Sequence, residues 1–214
     1  MQAKHINTGG IQFIRQMEGS VCWYWGTDVT DGDMYEAQEL YEMGHEKNSS
    51  RLVLVKYPDG TVYEPVARRD GLYFGVPVFS DGKVNILAVD FPRKKIMLLQ
   101  AGEDMKDVSE EASLSLCAVP DCYNLRLITS PLSIIRQGSE NLFQIIWPRK
   151  AEFYIDPAES IDHREGSELI FSKWYEDPDY REETVIRSYP SGEITKRIRG
   201  SVYAMRDGTS WIVD

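Results

Sequence analysis

The sequence predicts an all-β fold of consecutive antiparallel meanders, with one short helix near the N-terminus. The first observation comes from residues 51–100, where short runs rich in Val, Ile, Tyr and Phe alternate with turn signals. The second is a pair of hairpin turns, Asp59-Gly60 and Asp81-Gly82, since a tight turn needs a positive φ that glycine adopts without steric cost. Similar runs continue to the end of the chain, which predicts about fourteen strands.

Two arrangements of these strands are compatible with the sequence. The favoured one is propeller-like, with four-stranded blades of about 40–50 residues, and the alternative is a two-sheet sandwich or barrel. Short sequences recur along the chain and fit repeated units, although separate hairpins that reuse one turn chemistry would look the same. The recurring pairs are Tyr57-Pro58-Asp59-Gly60 and Tyr189-Pro190-Ser191-Gly192, Phe91-Pro92-Arg93-Lys94 and Trp147-Pro148-Arg149-Lys150, and the turns Asp81-Gly82 and Asp207-Gly208.

The domain organisation predicted from this pattern is one all-β domain over residues 1–214. If the strands repeat, the units lie at about 1–50, 51–111, 112–166 and 167–214. Residues 101–111 and 156–166 are polar and are predicted to be loops.

The helix is predicted over residues 33–43. Asp33 is a good N-cap, Glu36 follows three residues later as in a capping box, and Gly44 is placed to end the helix. Apolar residues at helical spacing form one stripe that should pack against a sheet. This stripe comprises Met34, Ala37, Leu40 and Tyr41.

Charge is distributed unevenly along this acidic chain. The net charge is −10, and residues 16–46 hold eight acidic residues with no Lys or Arg. A nucleic-acid-binding protein usually shows a basic balance or a basic stripe, so no nucleic-acid partner is expected. An acidic surface serves solubility in many proteins, and it also suits a basic partner.

The compartment predicted from the sequence is the cytoplasm. The chain has three cysteines, an odd and low number that does not indicate a disulfide framework and fits a reducing compartment. The N-terminus has no apolar run of signal-peptide length, and no run reaches the roughly 20 apolar residues of a membrane helix. Association with a membrane is therefore not expected.

A ligand site is predicted where the early strands meet the acidic segment. Residues 11–14 and 20–25 are predicted strands, and the period of two puts Trp23 and Trp25 on one face of the second. Asp28 and Asp31 follow directly. Flat aromatic faces beside carboxylates suit a sugar, which packs its C–H face on the rings and donates hydrogen bonds to the acids. The simpler alternative makes both tryptophans core residues and both aspartates turn residues.

No metal or cofactor site is predicted. Residues 28–39 have the length of an EF-hand loop, but Gly32 stands at the fifth position and not the sixth. The histidines His5, His45 and His163 are not at ligand spacing, and the sequence has no Cys-x-x-Cys pair, nucleophile elbow or phosphate loop. A glycosidase needs two carboxyl groups at a separation of roughly 5–10 Å, which the sequence does not define.

A partner site is predicted on the polar side of the helix. Glu36, Glu39 and Glu42 lie opposite the apolar stripe and would form a negative patch for a basic protein or a cation, unless this is merely a solvated helix face.

The predicted function is a binding or protein-interaction module without a catalytic signature. The alternative is a hydrolase or lyase that acts on a polar small molecule or glycan through an aromatic and carboxylate cleft.

Overall fold

The structure is a computed structural model, which describes residues 3–102, 104–205 and 209–214. It confirms the all-β class, because strands make up 48% of the chain and helical residues 7%. The described residues form nineteen strands, more than the sequence predicts. The strands are β1 (Arg15–Gln16), β2 (Trp23–Thr27), β3 (Leu52–Lys56), β4 (Thr61–Tyr63), β5 (Leu72–Phe74), β6 (Val78–Ser80), β7 (Lys83–Asp90), β8 (Lys95–Ala101), β9 (Val108–Ser115), β10 (Arg126–Ile128), β11 (Ser133–Gln137), β12 (Leu142–Trp147), β13 (Ala151–Tyr154), β14 (Glu159–Glu165), β15 (Glu168–Tyr175), β16 (Arg181–Ser188), β17 (Ile194–Arg199), β18 (Ser201–Ala204) and β19 (Ser210–Val213).

The strands form five antiparallel sheets in meander order. Sheet 1 contains β1 to β4, sheet 3 contains β10 to β13, sheet 4 contains β14 to β17, and sheet 5 contains β18 and β19. Sheet 2 has the order β5-β7-β8-β9, and β6 also pairs with β7. Among the described strands no sheet order returns to its first strand, so the alternative of a closed barrel is wrong.

Contacts divide the chain into two compact units, Met1–Leu127 and Ile128–Asp214, with the boundary inside β10. In the first unit, sheets 1 and 2 share one core, to which Trp23 and Leu54 contribute from sheet 1 and Phe74 and Ile86 from sheet 2. The single domain over 1–214 and its four repeat units stay predictions.

The core of the second unit is shared by sheets 3 and 4. Three phenylalanine rings meet there: Phe143 lies 5.2 Å from both Phe153 and Phe171 between ring centroids. Arg187 and Glu159 are buried beside these rings and pair at 2.8 Å. Charged side chains thus reach the interior of this unit.

One α-helix is found in the described residues, α1 (Met34–Glu42), and it confirms the predicted helix. Asp33 caps it, because its carboxylate accepts hydrogen bonds from the N–H groups of Tyr35 at 2.8 Å and Glu36 at 3.1 Å. Met34 and Ala37 are buried against the rest of the first unit. No helix in the described ranges is long and apolar enough to cross a membrane.

Gly44 ends α1 as predicted. Its φ of 63° lies in the left-handed region, and its N–H donates to the carbonyl of Tyr41 at 3.1 Å. His45 N–H then donates to the carbonyl of Leu40 at 3.0 Å, which completes a Schellman motif.

The two predicted loops each contain a strand. Residues 101–111 include the start of β9, an edge strand of sheet 2 whose side chains are mostly exposed, so that no apolar run marks it. Residues 156–166 include β14, whose inward positions hold Glu159 and Arg164 as well as Ile161. Charged residues at inward positions hide the alternation that sequence analysis depends on.

Two of the predicted strand bounds are also wrong. Residues 11–14 form no strand, and β1 begins only at Arg15. Strand β2 continues through Gly26, where the absent Cβ lets the carbonyl of Phe13 come close. Residues 114–119 turn into a 3-10 helix (Leu116–Ala118) after β9, because the Ser115 hydroxyl accepts a hydrogen bond from Cys117 N–H at 3.2 Å.

The predicted turns occur where expected. Asp81 and Gly82 have φ of 53° and 73° and join β6 to β7. Gly60 N–H donates to the carbonyl of Lys56 at 2.7 Å, and Gly192 N–H donates to that of Ser188 at the same distance. Each of these two turns joins the third and fourth strands of a sheet. Asp207-Gly208 lies outside the described residues.

Replacing Gly19 by alanine should destabilise the first unit by about 2–4 kcal/mol. Gly19 has a φ of 79°, and an added Cβ would overlap the carbonyl oxygen of Phe79. The neighbouring Glu18 carbonyl accepts a hydrogen bond from Phe79 N–H at 2.8 Å, so the two segments have little room to separate. Urea unfolding measures the loss.

Gly82→Ala is the matched control for this substitution. Gly82 has a similar φ of 73°, but no heavy atom lies within 4 Å of the added Cβ. Gly82→Ala should therefore lose only about 1–2 kcal/mol of stability, which is the cost of placing a Cβ atom in the left-handed region. Equal losses for the two variants would contradict the close approach at Phe79.

Candidate functional site

The two tryptophans of the predicted ligand site lie in the core. Trp23 is fully buried and Trp25 is 3% exposed, because alternate residues of β2 point inward. The Trp23 ring contacts Tyr63 edge-on at 5.7 Å, and the Arg15 guanidinium lies 5.7 Å from the centre of the Trp25 ring. Neither indole face is open to a sugar, which matches the simpler alternative of two core residues.

Asp28 and Asp31 lie instead in the wall of an open cleft. The pairing of Arg15 with Trp25 brings the segment before β1 beside the loop that follows β2. We call the space between them the loop cleft, and its volume is about 440 Å³. It is lined by Phe13, Ile14, Arg15, Thr27, Asp28, Val29, Thr30 and Asp31.

Arginines engage both carboxylates of the loop cleft. Asp28 accepts a hydrogen bond from Arg51 N–H at 2.7 Å and lies 3.6 Å from the guanidinium of Arg68. Asp31 forms an ion pair with Arg15 across the cleft.

Two threonine hydroxyls in the wall of the loop cleft have no partner. The Oγ1 atoms of Thr27 and Thr30 are buried, and no hydrogen bond to either is found in the described residues. Thr30 as a whole is only 9% exposed. Thr30 and Asp31 also have positive φ of 63° and 49°, which non-glycine residues seldom adopt.

A second cleft lies beside the helix. We call it the α1 cleft, and its volume is about 300 Å³. Its apolar floor includes Tyr41, which stacks on Phe91 at 5.0 Å with an angle of 15° between the rings. Its lining comprises Gln38, Tyr41, Glu42, Phe91, Lys94, Leu116, Cys117, Val119, Pro120 and Asp121.

Gln38 fixes the helix against the far wall of the α1 cleft. Its side-chain oxygen accepts a hydrogen bond from Cys122 N–H at 2.8 Å. Its amide nitrogen donates to Glu42 at 2.7 Å, which holds that carboxylate at the rim. Cys117 is an exposed free thiol in the same lining, whereas Cys122 is buried.

The predicted partner-binding acids are on the surface of α1. Glu36, Glu39 and Glu42 are all exposed, and no ion pair to them is found in the part of the chain that the structure describes. Tyr35 and Met43 are exposed beside them, at 36% and 77%. The outward side of α1 therefore presents uncompensated negative charge next to apolar surface.

No group of three or more His, Cys, Asp or Glu side chains suited to a metal ion is found within the described ranges. Compared with known protein families, curated proteins and solved structures, the chain gives no significant match in any of the three.

Proposed function

We propose that this protein is a binding module that recognises a basic protein partner through the outward side of α1. Lys and Arg side chains of the partner pair with Glu36, Glu39 and Glu42, and one apolar side chain enters the α1 cleft. The observation that carries the proposal is the position of Glu42. This carboxylate belongs both to the exposed acidic row of the helix and to the rim of the apolar cleft.

Interface physics supports this combination. Binding energy concentrates where an apolar or aromatic anchor fills a pocket, and charged groups around it set the orientation and speed of association. The α1 cleft offers such a pocket, with Tyr41, Leu116 and Val119 in its lining. Three carboxylates on one helix side repel one another mildly, and a basic partner relieves this repulsion.

Lys94 restricts the choice of partner. It is the basic residue in the lining of the α1 cleft, opposite in sign to Glu42. A segment that fits must place a carbonyl or carboxylate near Lys94 while its own basic groups meet the helix. A short basic peptide with an apolar anchor and one acidic or C-terminal group meets both conditions.

The blade-like repeat predicted from the sequence is part of the same proposal. Sheets 1 to 4, each of four or five strands that are close in sequence, follow one another along the chain before the two-stranded sheet 5. Sheets 1 and 4 place the same turn, with Gly60 and Gly192, between their third and fourth strands.

The test of the proposal compares two triple variants of equal charge change. Peptides selected for binding to the wild-type protein from a library of Lys- and Arg-rich sequences serve as the probe. Glu36→Gln, Glu39→Gln and Glu42→Gln together should weaken the selected peptides roughly tenfold, since each exposed ion pair contributes about 0.2–1 kcal/mol. Binding should also weaken as salt rises, because exposed charges are screened.

The matched control replaces three exposed acids elsewhere in the first unit. Asp107→Asn, Glu110→Gln and Glu111→Gln change the net charge equally but lie outside the lining of the α1 cleft. They should leave peptide affinity within about twofold of the wild type. Equal weakening by both triples would mean that only long-range charge acts, and failure to select any peptide would overturn the proposal.

A further inference from the structure

We infer that the loop cleft is a second and separate site, which binds an uncharged polyhydroxylated molecule such as a sugar. The hydroxyls of the ligand bond to Thr27, Thr30 and the two aspartates, and its C–H face lies on Phe13. This inference does not depend on the proposed role of α1, which uses other residues.

The first argument is the pair of hydroxyls without partners. A buried hydroxyl that makes no hydrogen bond destabilises a fold, whereas valine has the same shape and no such cost. Thr30 is nine-tenths buried, and its Oγ1 atom has no partner among the described residues. The same holds for the Oγ1 atom of Thr27. Both threonines belong to the lining of the cleft, so a ligand that turns either hydroxyl towards the cleft would supply the missing bond.

The second argument concerns the charge of the ligand. Asp28 and Asp31 would repel an anion, and Arg15 in the same lining would repel a cation. A sugar hydroxyl both donates and accepts hydrogen bonds, so neighbouring hydroxyls can satisfy carboxylates, a guanidinium and threonines together. The mixed lining therefore favours a neutral polyol over an ion of either sign.

The third argument is the exposed ring at the cleft. Phe13 is 81% exposed and stands in the lining beside the polar groups. An exposed aromatic face is the usual partner for the apolar face of a sugar ring. Phe13 thus takes the place that the buried tryptophans cannot fill. The cleft volume of about 440 Å³ lies within the usual range of about 300–1,000 Å³ for ligand sites.

The experiment uses the full chain with glucose, galactose, mannose and myo-inositol as probes. Binding is followed by saturation-transfer NMR and by tryptophan fluorescence, since Trp25 lies against the Arg15 that the ligand would contact. At least one probe should bind in the millimolar range. Phe13→Ala and Thr30→Val should each weaken it about tenfold.

Thr30→Val also separates a ligand role from a structural one. Valine keeps the β-branched shape at the same backbone position, so this variant should melt at the same temperature as the wild type or slightly above it. Thr184→Val is the matched control, because the buried Thr184 hydroxyl donates to the carbonyl of Gly200 at 2.9 Å. That variant should melt several degrees lower and bind the probe normally.

Three results would overturn the inference. The first is that the wild type binds none of the probes. The second is that Thr30→Val binds the probe as tightly as the wild type. The third is that Thr30→Val lowers the melting temperature as much as Thr184→Val does. The triple glutamine variant of α1 should bind the sugar normally. A loss of sugar binding there would show that the two sites are not separate, and would overturn the inference as stated.

Discussion

The Arg187→Met variant is expected to be less stable than the wild type by about 3–5 kcal/mol. Two nitrogen atoms of Arg187 donate to one oxygen of Glu159, at 3.0 and 2.8 Å, and the third donates to the carbonyl of Gly192 at 2.8 Å. The side chain of Glu159 is only 1% exposed. Removing the guanidinium leaves a buried carboxylate without compensation.

A double variant isolates the cause of this loss. Replacing Arg187 by methionine and Glu159 by leucine removes both charges and adds apolar side chains beside Phe153 and Phe171, whose ring centres lie 5.7 and 5.8 Å from the guanidinium. Proteins in which a buried ion pair is replaced by apolar side chains of similar size often lose little stability. The double variant should therefore be more stable than Arg187→Met alone.

Denaturant unfolding and hydrogen exchange of β15 and β16 measure these differences. Arg197→Met is the matched control, because its pair with Glu183 at 3.0 Å is partly exposed, and it should cost no more than about 1 kcal/mol. If Arg187→Met costs equally little, or if the double variant is the least stable of all, the buried pair does not act as described.

Trp23→Ala is expected to cost the first unit about 3–5 kcal/mol. The ring is completely buried in the core that sheets 1 and 2 share, and its removal leaves a large cavity. Trp23→Phe should cost clearly less, because it fills part of the space and removes an indole N–H that has no partner in the described residues. Circular dichroism during urea unfolding measures both.

Trp174→Ala provides the comparison, since this tryptophan of β15 is 45% exposed. It should change stability by less than about 1 kcal/mol. If Trp23→Ala loses little stability and changes the affinity for sugars, the position of Trp23 in the core is contradicted. Such a result would restore the tryptophans as a ligand platform.

Local chemistry made much of the fold predictable. Asp33 and Gly44 mark the two ends of α1 because the cap hydrogen bonds involve residues only two to five positions apart. Strand β14 was missed for the opposite reason. Its buried Glu159 is compensated by Arg187, 28 positions later, and such pairing leaves no local pattern.

The candidate site was predictable only in part. Asp28 and Asp31 stand out as acids in a turn region, and they do lie in a cleft. The roles of Phe13 and Arg15 depend on the pairing of β1 with β2, and β1 has only two residues. The missing hydrogen bonds of Thr30 are invisible to any pattern, because only three-dimensional packing defines them.

The meander order of the sheets has a consequence for how the chain folds. Most described strands pair with a neighbour in sequence, although β5 pairs with β7 and residues 28–51 separate β2 from β3. Most of the loops that must close are therefore short, and their entropic cost is small. Proteins with such local contacts fold faster than those that join distant strands. During synthesis, sheet 1 can therefore form its hydrogen bonds while the residues of sheet 3 are still being added.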